Sequence, residues 1–184
     1  DELIDKFLEG EELTYEELSG AIKSGLKENV FAPVLVGNAL TNNGIKPLLD
    51  MIISTFPNPG DAKPETATDF NDESKTIEVK PDPGEPFSAF VFKTQMDQYA
   101  GKVSYMRVMS GTLKVNEEIA NPRTQSSEKI AHIYTPVGKD RTDQPTAVAG
   151  DIVVITKLSD AATSDTLTHT NRKLRFRPLQ LPQP

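Results

Sequence analysis

Cysteine is absent from the 184 residues, so neither a disulfide framework nor a thiolate zinc site is available. Only two histidines occur, His132 and His169. Catalysis by a serine or cysteine beside a histidine base has almost no raw material. His132 alternates with the apolar residues Ile130, Ala131 and Ile133 and reads as a strand-surface residue, while His169 sits in a polar segment. No run of 18 apolar residues exists, which excludes a membrane-spanning helix. Residues Asp1–Asp5 have neither the basic start nor the apolar run of a signal peptide, so a cytoplasmic chain is expected.

Motifs are missing too. There is no phosphate-cradling Gly-x4-Gly-Lys-Ser/Thr, no Gly-x-Gly-x-x-Gly, no His-Glu-x-x-His and no Gly-x-Ser-x-Gly. Carboxylates are plentiful, but they fall in proline-rich stretches and on helix faces, where solvation is their ordinary role. No catalytic residue and no metal ligand is assigned.

What is present is charge, unevenly placed. Lys and Arg number 20 against 27 Asp and Glu, a net −7. Residues 1–18 hold eight acids and one base, Lys6, so that segment carries the whole imbalance. An acidic face of this kind serves either solvation or a basic partner. With 36% hydrophobic and 26% charged residues, the rest is ordinary for a folded domain. The length allows one large domain or two modest ones.

Two compositional regimes meet near residue 60. Leu3, Ile4, Phe7 and Leu8 form a helical stripe, and Gly10 fits its stop. Thr14-Tyr15-Glu16-Glu17 has capping-box spacing, with Leu18, Ile22 and Leu26 continuing a second helix. Val34-Leu35-Val36 reads as a short buried strand, followed by a glycine-bounded loop from Gly37 to Gly44. Ile45, Leu48, Leu49, Ile52, Ile53 and Phe56 then predict a regular amphipathic helix, with Pro47 tolerated in its first turn. Strand, loop and helix make one edge of an α/β layer whose sheet neighbours lie elsewhere.

Residues 57–86 carry six prolines and many acids, the composition of an extended linker, although Thr76–Val79 could add an edge strand. From Phe87 the period changes to two. Phe87–Lys93, Lys102–Met109, Thr112–Val115, Glu128–Tyr134 and Ala147–Leu158 are strand candidates, separated by turns such as Ser110-Gly111, Asn116-Glu117, Val137-Gly138 and Ala149-Gly150. Short strands this dense predict a closed antiparallel barrel. The tail Pro178–Pro184 reads as a connector.

The most specific signal is an ordered series in the barrel: Lys93, then Gly101–Lys114, then Ala149-Gly150-Asp151-Ile152, then Thr163-Ser164-Asp165-Thr166-Leu167. Together these resemble the second domain of translational GTPases. Gly37-Asn38-Ala39, between a candidate strand and a helix, is similar to the last guanine-binding loop of that family, usually Gly-Ser-Ala. Phe7–Thr14 and Gly44–Asp50 resemble elongation factor G in particular, in which the acidic helices belong to an insertion in the nucleotide domain. Ser164 stands where the pattern usually has glycine, which argues against a positive-φ turn there.

The resemblance implies a mixed fold: the C-terminal part of an α/β GTP-binding domain at 1–57, a linker at 58–84, a translation-factor β-barrel at 85–170 and a connector at 171–184. It implies an intact parent that binds GTP with magnesium and acts on the ribosome. This piece, lacking the phosphate loop, magnesium motifs and Asn-Lys-x-Asp reader, is expected to be monomeric and to bind and hydrolyse no GTP. Gly37, Asn38 and Ala39 would be a partial guanine loop. Residues 85–177 hold 13 bases against 10 acids, and Lys102, Arg107 and Lys114 are the candidates for small-subunit ribosomal RNA. Glu9, Glu12 and Glu16 are the candidates for the ribosomal stalk protein. Ribosomal-protection, peptide-release and back-translocating GTPases remain open alternatives, as does a stand-alone barrel binding peptide or single-stranded nucleic acid. The last would need exposed stacking aromatics. Phe87, Phe90, Phe92 and Tyr105 lie within strand candidates, where core packing is their ordinary role.

Overall fold

Thr14 and Glu17 form the capping box that their spacing predicts. Thr14 Oγ1 accepts the Glu17 N–H at 3.2 Å, and Glu17 Oε2 accepts the Thr14 N–H at 2.9 Å. The helix they open is the second of three: α1 Glu2–Leu8, α2 Tyr15–Lys27 and α3 Ile45–Thr55. Gly10, at φ +79°, lets the chain turn after α1. Lys6 of α1 reaches Glu17 at 2.5 Å, so one carboxylate both caps α2 and clips α1 to it. The Lys6 ammonium first, then the two Thr14 bonds, hold the Glu17 carboxyl down at about 2.

The computed structural model describes residues 2–138 and 140–180, which divide into two units at Asp61. Within the first unit α2 packs on α3. Val34–Val36, expected as a buried strand, is neither buried nor a strand: Val34 and Val36 are 91% and 92% exposed. The apolar run has strand propensity, but an extended segment needs a neighbour to bond its amides. No described strand pairs with it.

The second unit is built from strands, β1 Glu65–Asp69, β2 Thr76–Val79, β3 Ser88–Asp97, β4 Gly101–Ser110, β5 Thr112–Lys114, β6 Glu118–Asn121 and β7 Ser126–Lys129. They continue as β8 Ile133–Val137, β9 Asp140–Gln144, β10 Thr146–Val148, β11 Ile152–Thr156, β12 Thr166–His169 and β13 Leu174–Phe176. An eight-stranded antiparallel sheet runs β7-β6-β12-β3-β4-β11-β8-β9, and a ribbon pairs β5 with β10. Both enclose one core that includes Phe87, Val91, Met106, Val108, Leu113, Ile119, Ile133 and Ile155. The result is barrel-like. It departs from the closed barrel expected, because no described ladder joins the edges β7 and β9.

Two candidate strands are divided. Glu128–Tyr134 breaks between β7 and β8, since Ile130 turns its N–H to Glu117 O at 2.9 Å and its carbonyl to Asn116 N–H at 2.7 Å. Ala147–Leu158 breaks at Gly150, at φ +99°, where Asp151 Oδ2 accepts the Val148 N–H at 2.8 Å.

The stretch read as linker, 58–84, contains β1 and β2, and the stretch read as connector contains β13; Leu181–Pro184 of that connector lie outside the described residues. These strands form a second sheet in the order β13-β1-β2. Ala67, Val79, Leu174 and Phe176 bury its inner face against Phe90 and Met109, on the outside of β3 and β4. Phe90 meets Phe176 edge to face at 6.3 Å. Prolines bracket these strands rather than interrupt them, and that is how a proline-rich stretch still makes a ladder.

Candidate functional site

The Gly37–Gly44 loop is closed by its own backbone. Asn38 N–H donates to Asn43 O at 2.8 Å, and Asn38 Oδ1 accepts from Leu40 N–H and Thr41 N–H at 3.0 and 3.3 Å. Asn38 therefore spends both groups inside the loop. Gly44, at φ +77°, brings the chain into α3, and a Cβ there would meet Val36 O and lie 2.9 Å from Gly37 Cα. The Ala39 N–H has no acceptor among the described residues. Of the three loop residues, Gly37 and Ala39 keep backbone N–H groups with no acceptor among the described residues, donors that suit a carbonyl such as that of guanine.

Three of the four barrel motifs turn out to be joints of the fold, while Lys93 lies over the Tyr105 ring. Ser110 Oγ lies 2.7 Å from Ser88 Oγ and donates to Pro86 O at 2.8 Å, while Arg172 donates to both Ser110 Oγ and Pro86 O. Burial pulls the Arg172 guanidinium below its ordinary range. Gly111 N–H donates to Asp82 O at 2.8 Å, so the Ser110-Gly111 turn is buttoned to residues 82–87. Ser164 keeps the left-handed conformation, φ +77°, without being glycine, and this corrects the expectation that the turn would avoid positive φ. Thr166 Oγ1 accepts the Phe176 N–H at 2.9 Å, fastening the barrel to β13.

Lys102, Arg107 and Lys114 are not gathered at one turn. Lys102 opens β4 beside the Asp97–Gly101 turn, and its ammonium donates to Ser159 O at 3.2 Å. Arg107 is exposed five residues on, about 17 Å along the strand. It shares the outward parity of Met109. Lys114 is exposed at the end of β5. In the first unit Glu9, Glu12 and Glu16 are all exposed and make no ion pair among the described residues. The neighbouring Glu17 is the acid that is engaged.

Fold and joints together define the class: a translation-factor β-barrel of the second-domain type. Residues 86–170, just under half of the chain, match the family model of elongation factor G domain 2. Over all 184 residues the chain is 34% identical to an elongation factor G-like protein of Thermotoga maritima and 34% identical to elongation factor G of Neorickettsia sennetsu. It is 36% identical to elongation factor G of Aquifex pyrophilus. It covers 27%, 26% and 26% of those proteins, about a quarter of each. A crystal structure of a Thermus thermophilus protein superposes on 92% of this chain and 22% of its own, with a TM-score of 0.70 and 28% identity. Among the described residues no helix is long and apolar enough to cross a membrane.

Two exposed rings lie outside the sequence candidates, Tyr99 and His132; His132 is expected at a strand surface but not as part of a site, and Tyr134 beside it is half-buried. Tyr99 is 97% exposed in the β3–β4 turn, and its place between Gln98 and Gly101 in a polar turn is the signal that could have revealed it.

Proposed function

We propose that this chain is the segment of a cytoplasmic translational GTPase that joins the end of its GTP-binding domain to the second domain, and that it serves ribosome docking and interdomain coupling rather than hydrolysis. The observation that carries this reading is the domain 2 match over 86–170, with three of its four motifs acting as structural joints. The exposed apolar residues of the first unit, including Phe7, Val34, Val36, Leu40 and Ile53, support its being one part of a larger core. The intact protein binds GTP with magnesium, and the Ala39 N–H meets the guanine carbonyl.

Docking uses Arg107 and Lys114 on small-subunit ribosomal RNA, with Lys102 a lesser contributor because its ammonium already has an acceptor. Glu9, Glu12 and Glu16 offer a free acidic face to the stalk protein. Two experiments test this. The 184-residue chain titrated with GTP gives no micromolar signal, and a signal would overturn the division of labour. Substituting Lys102, Arg107 and Lys114 together with Ala weakens co-sedimentation of the intact protein with ribosomes; unchanged binding removes the docking face.

A further inference from the structure

The β3–β4 turn, the break between β7 and β8, and the residues after β11 surround a groove of about 490 Å³. Tyr99 stands almost wholly in solvent on it, yet is not loose: Asp97 Oδ1 accepts the N–H groups of Tyr99 and Ala100 at 2.9 and 2.8 Å. The exposed His132 ring stacks on Tyr134 at 5.7 Å, with 15° between the planes. Three bases line the same groove: Lys129, Arg141 and Lys157.

The acids around it are already occupied. Asp97 pairs with Arg141 at 2.9 Å, Glu128 accepts the N–H groups of Ser159 and Asp160, and Asp143 lies 3.2 Å from His132 Nδ1. Lys129 and Lys157 have neither hydrogen-bond nor ion-pair partner for their ammonium groups among the described residues. Lys157 is also held in the left-handed region, φ +63°, with its N–H fixed to Lys102 O at 2.9 Å.

Flat rings beside unpaired ammonium groups match the two halves of a nucleotide, whose base stacks and whose phosphates seek cations. A duplex hides its base faces, so the match is to an unpaired strand. We propose that this groove holds one unpaired nucleotide of a single-stranded RNA segment, its base on the His132 ring with Tyr99 as the second ring and its phosphates on Lys129 and Lys157. The choice of RNA rests on the proposed ribosome docking; the ring-and-cation chemistry stands apart from it.

The test is fluorescence anisotropy of the 184-residue chain with a labelled ten-nucleotide single-stranded RNA, its duplex and the DNA of the same sequence. The single-stranded RNA binds at least tenfold tighter than the duplex. Tyr99→Ala and His132→Ala each weaken it about tenfold, and Tyr99→Phe restores it. Lys129→Ala with Lys157→Gly, the glycine preserving the left-handed backbone, lowers the salt slope by about 1.4. Equal binding of duplex and single strand, or full affinity in Tyr99→Ala and His132→Ala, overturns the proposal. Competition by a polyglutamate peptide at the RNA's own concentration overturns it in favour of a bare basic patch. Equal binding of DNA overturns the assignment to RNA. Ribosome co-sedimentation separates the two readings. Ribosome binding that needs Arg107 and Lys114, without oligonucleotide binding, leaves docking standing and sinks the groove; the reverse pattern does the opposite.

Discussion

Arg123 grips Asp165 with two bonds, Nε to Oδ1 at 2.6 Å and Nη2 to Oδ2 at 2.8 Å. Burial alone would raise the Asp165 carboxyl, but the Arg123 bonds, the Ala162 N–H and the Asn121 amide outweigh it and hold the group below the ordinary aspartate range. The pair locks the β6–β7 turn to the loop that leads into β12. Asp165→Ala is expected to cost about 3 kcal/mol, because it also strands the buried Asn121 amide. Arg123→Ala costs less, about 1–2 kcal/mol, since Arg123 is half exposed and water screens its contribution. Urea unfolding of both variants gives the ranking; a larger loss for Arg123→Ala would contradict it. The carboxyl is depressed, so its stabilisation is present above the ordinary aspartate range and fades as pH falls below it.

Ser164 holds a left-handed backbone, φ +77°, with its N–H donating to Val91 O at 2.8 Å and its Oγ accepting the Leu179 N–H at 3.1 Å. The hydroxyl bond is exposed and contributes little. Ser164→Gly relieves a steric cost on the order of 1–2 kcal/mol while adding freedom to the unfolded chain. A net gain of about 0.5 kcal/mol is expected, read as a small rise in Tm. A fall in Tm would show that the hydroxyl bond outweighs the strain.

Some of this architecture is readable from local pattern. The Thr14–Glu17 box, the α3 stripe and the strands β3, β4 and β5 rest on spacings within a dozen residues, where side-chain period and hydrogen bonding agree. The second sheet is not local. Ala67 pairs with Phe176, across more than a hundred residues, and nothing near either residue names the other. Val34–Val36 fails for the converse reason: the local pattern is right, but the chain offers no ladder partner among the described residues. The turn from Gly37 to Gly44 was legible as a loop because turn chemistry is local. The separation of Lys102 from Arg107 and Lys114 was not, since strand parity and hairpin ends appear only once the register is known.

Glu17 carries an acid-sensitive clip. Its carboxyl titrates at about 2 rather than at its ordinary 4.5, held there by Lys6 and Thr14. A depressed carboxyl stabilises fully above pH 4.5 and loses that contribution as pH falls towards 2. The α1–α2 junction therefore loosens within that acid window and not near neutrality. Lys6→Ala removes the leading cause, so NMR titration should find the Glu17 carboxyl moved upward towards the ordinary glutamate range. An unmoved titration would mean that Thr14 alone sets it.

Gly111 sits where the backbone leaves no room for a side chain. At φ +74°, an added Cβ would fall 2.5 Å from Glu85 O and Phe87 N, and both obstacles are backbone. Its N–H donates to Asp82 O, and its carbonyl accepts the Ala149 N–H at 3.0 Å, so moving the turn away breaks two bonds as well. Gly111→Ala is expected to cost about 3 kcal/mol or more from strain and lost bonding together. Gly138 offers a matched control: it has a similar positive φ, +62°, but open space around its Cβ, so Gly138→Ala costs only the conformational part, about 1 kcal/mol. Urea midpoints for the two variants, measured side by side, isolate the packing of residues 82–87 against the turn. Equal losses would show that backbone conformation alone, and not the segment once read as a linker, makes glycine necessary at Gly111.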